Sequence, residues 1–149
     1  MKEIGWPTID SKHLVVYSKQ MLDLENEIFS QGMPQEALME KVGIQISKWL
    51  LKRKSLLKEG VIVLVGPGHN GGDGAVIAKE LFLKGYLVKL WCPFHLKKTL
   101  TINYVNYLTS LGVEILEEPP NPKGKHLWID AVFGNNQKRK VNEDLIELF

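Results

Sequence analysis

The chain has 149 residues, a length typical of one domain. Hydrophobic and charged residues make up 44% and 24% of it, as in an ordinary globular protein, and a net charge of +2 gives no indication of a nucleic-acid-binding or membrane-binding surface. The single cysteine, Cys92, excludes an internal disulfide. No apolar run approaches the ~20 residues of a membrane span, so we expect a soluble, cytoplasmic protein.

The N-terminal part of the chain is predicted to be helical after an irregular lead-in over residues 1–17. Ser18 is a suitable cap for a helix over residues 18–31, and a second helix is expected from Pro34 to about Lys52. Four large apolar side chains in the second helix recur at helical spacing and are expected to face the core. They are Leu38, Val42, Ile46 and Trp49.

From residue 61 onward, predicted strands alternate with predicted helices. Residues 61–65 are apolar throughout, which is typical of a strand buried on both faces. The later elements are a helix over about 74–84, a strand over 87–91, a helix over 96–111, strands over 113–115 and 126–129, and a last helix from about 142. This order predicts, over residues 18–149, an α/β domain of three-layer Rossmann-like type with a mostly parallel sheet and two N-terminal helices.

A glycine-rich loop over residues 66–74 separates the first strand from the following helix. Five glycines in nine residues indicate either positive φ angles or a backbone that something approaches closely. Amide groups between a strand and a helix N-terminus are well placed to bind an anion. A tight turn without a ligand is the alternative, although such a turn needs only one or two glycines.

Two common nucleotide-binding patterns fit this loop poorly. Gly66, Gly68 and Gly71 satisfy Gly-x-Gly-x-x-Gly, but the second strand does not end in the carboxylate with which dinucleotide dehydrogenases bind ribose. No Lys-Ser or Lys-Thr pair follows the glycines, which argues against a phosphate-loop NTPase.

Three polar side chains of the loop are candidates for ligand contacts. Asp73 could accept a hydrogen bond from a ligand, or it could cap the following helix. Asn70 offers a neutral oxygen suited to a cation or a sugar hydroxyl. His69 could either contact the ligand or lie exposed at the surface.

A second set of candidates follows the fourth predicted strand. Asp130 ends that strand at the edge where parallel sheets bind ligands, although an acid there is often only a turn former. Together with Asn70 it could coordinate a hard cation through oxygen atoms. Lys138, in a basic run over residues 138–140, could meet a phosphate or belong to a solvated surface.

Three motifs in the chain resemble the NAD(P)H-hydrate epimerase family, also called the YjeF N-terminal domain. Residues 66–74 match its loop Gly-Pro-Gly-Asn/His-Asn-Gly-Gly-Asp-Gly. Residues 38–43 are close to its Leu-Met-Glu-x-Ala-Gly, with Val42 in place of the alanine. Residues 130–134 match Asp-Ala-x-Phe-Gly. The resemblance covers nearly the whole chain after Val15.

This resemblance implies an enzyme that interconverts the R and S epimers of hydrated NADH and NADPH, a step of nicotinamide nucleotide repair. It implies a potassium ion held by Asn70 and Asp130. It leaves the catalytic residue unassigned, with Asp73 as a candidate. The implied partners are a second copy of the chain and a dehydratase, as a fused domain or separate chain, but no nucleic acid and no membrane. The substrate contacts that it implies are His69, Asn70, Gly71, Gly72, Asp73, Gly134 and Lys138.

The sequence ends at Phe149, before the Asp-x-Pro-Ser-Gly motif that family members carry further on. We therefore expect a domain that is incomplete at its C-terminus. In the family this motif supplies an acidic substrate contact and a further potassium ligand. Two alternatives to an active epimerase therefore stay open: a catalytically silent nucleotide-binding module, and an inactive fragment of a bifunctional repair enzyme.

Overall fold

A computed structural model describes residues 17–134, and the chain forms two compact units, residues 1–34 and residues 35–149. The described part of the first unit is helix α1, Ser18–Ser30, which confirms the first predicted helix. Its N-cap is Tyr17 rather than the predicted Ser18. The backbone N–H of Tyr17 donates to the Gln20 side chain at 2.8 Å, so Gln20 stabilises the helix start.

The second unit contains the parallel sheet and the helices that connect its strands. Its elements in chain order are α2 Gln35–Leu51, a 3-10 turn Lys54–Leu57, β1 Val61–Val65, α3 His69–Leu83, β2 Val88–Trp91, α4 Thr99–Ser110, β3 Glu114–Leu116 and β4 Leu127–Ala131. None of the helices within residues 17–134 is long and apolar enough to cross a membrane. The last predicted helix, from about residue 142, lies outside the described residues.

The four described strands form one parallel sheet in the order β3-β2-β1-β4. Strand β1 is central, and its residue Val63 pairs with Leu90 of β2 on one side and with Ile129 of β4 on the other. The chain runs from β1 through α3, β2 and α4 to β3, and then returns to place β4 on the opposite side of β1. The predicted α/β class is thus confirmed, and the sheet has a topological switch point between β1 and β4.

The two faces of the sheet have different neighbours. The odd-numbered residues of β1, Val61, Val63 and Val65, belong to a core shared with the buried side chains of α2, α3 and α4. Ile62 and Leu64 point to the other face and pack in a separate cluster that includes aromatic side chains. Within the described residues, the helices of this unit therefore contribute to the core on one face of the sheet.

The buried face of α2 is not the one that its large apolar residues predict. The buried residues of this helix are Met39, Gly43, Ser47 and Leu50. Val42, Ile46 and Trp49 of the predicted stripe are 37%, 41% and 51% exposed. Small residues face α3 because the two helices approach closely, and the Ser47 hydroxyl donates to the Gly43 carbonyl at 2.8 Å within the contact. Hydrophobic periodicity selected the larger side chains and therefore the wrong face.

Candidate functional site

Helix α3 begins inside the glycine-rich loop, at His69 rather than near the predicted Gly74. Its N-cap is Gly68, which is in an extended conformation with φ −99° and has no side chain with which to cap the helix. Asp73 therefore lies in the second turn of α3, and the prediction that it caps the helix is wrong. The loop is shorter than the sequence suggested, because most of its glycines are helical.

Close packing against the strands explains three of the glycines. A β-carbon at Gly66 would overlap the Val132 carbonyl oxygen, and one at Gly71 would overlap the Gly66 carbonyl oxygen. A β-carbon at Gly74 would lie 2.5 Å from the Ala131 side chain. None of these glycines has a positive φ, so close approach is the reason for their presence. The absence of side chains lets the start of α3 pack onto the ends of β1 and β4.

Helix α2 packs against the same part of α3 from another side. A β-carbon at Gly72 would lie 2.5 Å from the Met39 sulfur. One turn further along, Gly43 is in contact with Val76 and leaves no room for a β-carbon. At the start of both helices, Gln35 Nε2 lies 3.1 Å from His69 Nδ1. The N-terminus of α3 is thus fixed in place by α2 as well as by the strands.

Gly68 is the exception among the loop glycines. A β-carbon there would meet no atom of residues 17–134 within 4 Å, and its φ of −99° is accessible to other residues. Neither packing nor backbone conformation therefore requires glycine at this position. It lies at the N-terminus of α3, where the helix dipole favours an anion, so the missing side chain leaves room for a ligand.

Helix α4 and the segment after β2 hold the loop from the other direction. The Thr101 hydroxyl, which is fully buried, donates to the Gly68 carbonyl at 2.8 Å. The Lys97 backbone N–H donates to the Pro67 carbonyl at 3.2 Å. Thr101 is a site residue that the sequence does not reveal, because a threonine within a helix carries no signal of such a contact. These bonds fix the direction of both carbonyls and so the position of the open Gly68.

Asn70 connects the glycine-rich loop to the segment that follows β4. Its Nδ2 donates to the Phe133 carbonyl at 3.0 Å, so its amide oxygen is the atom suited to a cation. Gly134 is at this contact as well, because a β-carbon there would lie 3.4 Å from the Asn70 β-carbon. Two of the predicted ligand-binding residues are therefore brought together. Lys138 lies outside the described residues.

Asp130 lies in β4 beside the end of β1, in register with Leu64. Its side chain is exposed, and one carboxylate oxygen accepts the Val132 backbone N–H at 2.9 Å. Residues 17–134 contain no group of three or more His, Cys, Asp or Glu that could hold a metal ion. An exposed carboxylate and an amide oxygen at one edge of the sheet do suit a hard cation that binds oxygen ligands.

The three motifs lie within a region of the chain that matches a known protein family. The family model described as YjeF-related protein N-terminus matches residues 35–149. The chain belongs to this family. The match begins at the first residue of α2 and includes every strand of the sheet.

Several curated relatives of this YjeF-related domain have similar sequences. A bifunctional NAD(P)H-hydrate repair enzyme Nnr from Synechocystis is 43% identical over 135 residues, which is 90% of this chain and 26% of that protein. An NAD(P)H-hydrate epimerase from Phaeosphaeria nodorum is 33% identical over 129 residues, 85% of this chain and 54% of that protein. The chain spans about a quarter of the bifunctional relative and about half of the epimerase.

A solved structure also resembles this YjeF-related domain. The crystal structure of yeast ynu0, YNL200c, superposes with a TM-score of 0.77 at 27% identity. The match covers 90% of this chain and 62% of the yeast chain. The parallel sheet and its helices are therefore an arrangement that has been observed experimentally.

The Leu-Met-Glu segment of this YjeF-related domain contributes a polar cluster between its helices. Glu40 accepts hydrogen bonds from Lys79 at 2.5 Å and from the Tyr104 hydroxyl at 2.7 Å. Burial raises the pKa of the Glu40 carboxyl, but the bonds from Lys79 and Tyr104 and the charge of Lys79 together lower it. Burial, followed by the bond to Glu40, raises the pKa of Tyr104 far above its usual value. The cluster joins α2, α3 and α4.

Proposed function

We propose that this domain binds a hydrated NADH or NADPH and interconverts its R and S epimers. The observation that carries the proposal is the open position of Gly68 at the N-terminus of α3, beside the β1–β4 switch point. Parallel sheets bind nucleotides at such points. The names of the Synechocystis and Phaeosphaeria nodorum relatives supply the substrate and the reaction.

In this proposal, the first turn of α3 binds the pyrophosphate of the dinucleotide. Backbone amides and the helix dipole attract a phosphate there, and Gly68 lets it come near the backbone. The further contacts come from His69, Asn70, Gly71, Gly72, Asp73, Gly134 and Lys138. The direct contact of Asn70 with the Phe133 carbonyl supports a shared role for the loop and the segment after β4.

We propose a potassium ion at the same edge of the sheet, held by Asn70 and Asp130. The amide oxygen of Asn70 and the exposed carboxylate of Asp130 are the ligand types that a hard cation prefers. The bound cation would supply positive charge beside an anionic substrate. Replacement of Asp130 by alanine should therefore remove any dependence of the reaction on potassium.

Epimerisation inverts one carbon of the hydrated ring, so a bond at that carbon must break and form again. A positioned proton acceptor assists such a reaction. Asp73 is our candidate for this group: it is half-buried in the second turn of α3, one turn beyond His69. Its replacement by asparagine keeps the size of the side chain and removes the basic oxygen.

Three further proposals concern the partner of the enzyme, its oligomeric state and its location in the cell. We propose a dehydratase as the functional partner, present as a further domain or a separate chain, because the Synechocystis relative is named a bifunctional repair enzyme. We also propose a homodimer and a cytoplasmic location. Size-exclusion chromatography with light scattering tests the homodimer, and cell fractionation tests the cytoplasmic location.

The decisive experiment is a chromatographic assay of epimer conversion. The purified chain is incubated with the R epimer of NADPH hydrate in potassium or sodium buffer, and the S epimer is followed against a protein-free blank. Conversion above the blank, lost in Asp73→Asn and made insensitive to potassium in Asp130→Ala, is the expected result. Saturable binding without conversion, from a chain that unfolds cooperatively, would overturn the epimerase and leave a nucleotide-binding module.

A further inference from the structure

The first residues of α2 and α3 form a contact that no motif of the chain predicts. Gln35 Nε2 lies 3.1 Å from His69 Nδ1, within hydrogen-bonding distance, and both side chains are half-buried. Gln35 is the first residue of α2, and His69 is the first residue of α3 beside the open Gly68. A side chain outside the glycine-rich loop therefore contacts one of its ligand-binding candidates.

The chemistry of this contact determines where the imidazole carries its hydrogen. The Gln35 amide is placed with its nitrogen toward Nδ1, and an amide nitrogen only donates, so Nδ1 is the acceptor in this arrangement. A neutral imidazole has one N–H group, which is then at Nε2. We propose that Gln35 is a positioning residue that fixes His69 as the Nε2–H tautomer. This inference deepens the proposed function and rests on it for its catalytic consequence, because His69 is a proposed substrate contact.

The packing between α2 and α3 keeps the two side chains in register. One turn after Gln35, Met39 packs on Gly72, and Glu40 is paired with Lys79 at 2.5 Å. Because the helices are joined at these points, the backbones at Gln35 and His69 are held at a fixed separation. The hydrogen bond is therefore part of the rigid frame of the site.

The fixed tautomer decides whether Nε2 of His69 is a donor or an acceptor. An Nε2–H group donates a hydrogen bond, whereas a bare Nε2 would accept one. Phosphate and hydroxyl oxygens, which are abundant on a dinucleotide, accept hydrogen bonds. Holding the imidazole as a donor in advance favours these groups without the expense of reorienting it during binding.

Nitrogen-15 NMR of the histidine side chains tests the tautomer directly. The spectrum is recorded in alkaline buffer, where imidazoles are ordinarily neutral, and the His69 signals are assigned by their loss in His69→Asn. We expect a bare Nδ1 and a protonated Nε2 in the wild-type chain. A hydrogen on Nδ1 of the wild-type chain would overturn the proposal.

Gln35→Glu provides the sharpest change, because a carboxylate accepts and draws a hydrogen onto Nδ1. Gln45→Glu is the matched control, since Gln45 is an exposed glutamine of the same helix. We expect the Nδ1 signal to change to the protonated type in Gln35→Glu only. An unchanged signal in Gln35→Glu, with circular dichroism like that of the wild type, would also refute the role of Gln35.

Gln35→Met removes the donor without adding charge and gives the kinetic measurement. We expect KM for the hydrate to rise by roughly three- to tenfold, with kcat changed by less than about twofold. The NMR experiment needs no substrate, so an inactive chain with the expected tautomer defeats only the epimerase proposal. An active chain with the wrong tautomer, or with an unchanged KM in Gln35→Met, defeats only this inference.

Discussion

Gly43 of α2 lies directly against Val76 of α3, so closely that a β-carbon at position 43 would overlap the valine side chain. This contact brings the Leu-Met-Glu segment to the start of α3, where Met39 touches Gly72. It also explains why the chain tolerates Val42 where the related family motif has alanine. Val42 is 37% exposed and points away from the contact.

Replacing Gly43 with alanine should destabilise the protein. The added methyl group has no space against Val76, and overpacking of this kind typically costs about 1–3 kcal/mol. Alanine recovers part of this loss, up to about 1 kcal/mol, through its higher helix propensity. We expect a net decrease of about 1–2 kcal/mol in the free energy of unfolding, measured by urea denaturation. Gln45→Ala, at an exposed position of α2, is the control and should change it little. A stabilised Gly43→Ala variant would contradict the close contact.

Gly66 and Gly68 should respond in opposite ways to substitution. Gly68→Val should fold with a loss of only about 1 kcal/mol, because its β-carbon meets no atom of the described residues within 4 Å and its backbone is extended, while valine is a poorer N-cap than glycine. It should weaken binding of NADPH hydrate by roughly tenfold or more, since it fills the space beside the α3 N-terminus. Gly66→Ala should lose stability severely, because its β-carbon overlaps the Val132 carbonyl. Calorimetry measures both quantities, and undiminished binding by Gly68→Val would refute the ligand position.

The ionisation of Glu40 should make the stability of the fold depend on pH in the acidic range. Its pKa in the folded chain lies below the ordinary value of 4.5, so it stabilises the fold above that pH. This contribution is lost as the pH falls through the lower folded pKa. We expect Glu40→Gln to reduce stability at pH 7 and to flatten its decline below about pH 5. Glu114→Gln breaks a more exposed pair with Lys89 and serves as the control, with little effect at either pH. Equal acid sensitivity of wild type and Glu40→Gln would argue against the cluster.

Two adjacent residues of α2 test which face of the helix is buried. Leu50 is 6% exposed, whereas Trp49 is 51% exposed and has the Arg53 guanidinium 3.6 Å from its ring centroid. Leu50→Ala should cost about 2–5 kcal/mol of unfolding free energy, as buried leucines do. Trp49→Ala should cost less than about 1 kcal/mol despite the larger side chain that it loses. Thermal unfolding ranks the two variants, and the reverse order would restore the face predicted by hydrophobic periodicity.

Local sequence patterns were sufficient to predict the strands of the sheet. Residues 61–65 are all apolar, a pattern typical of a strand covered on both faces. The alternation with helices then required a parallel sheet, and the loop over residues 66–74 fell at its carboxyl edge. Each of these features depends on residues close together in the chain.

The start of α3 and the buried face of α2 depended on contacts between distant segments. Gly71, Gly72 and Gly74 have low helix propensity, so the sequence alone suggested a loop. They are helical because the backbone packs onto β1, β4 and α2, where larger residues would clash. Likewise, Gly43 and Ser47 face the core because α3 comes close, and no periodicity of large side chains could indicate this.

The sequence by itself determined the class of fold, the family and the position of the glycine-rich segment in the sheet. Only the tertiary structure decided which of its glycines serve packing and which one faces open space, because that depends on atoms from β4 and α2. The same holds for the contact between Gln35 and His69, which are 34 residues apart. A hydrogen bond across that separation exists only once both helices are packed.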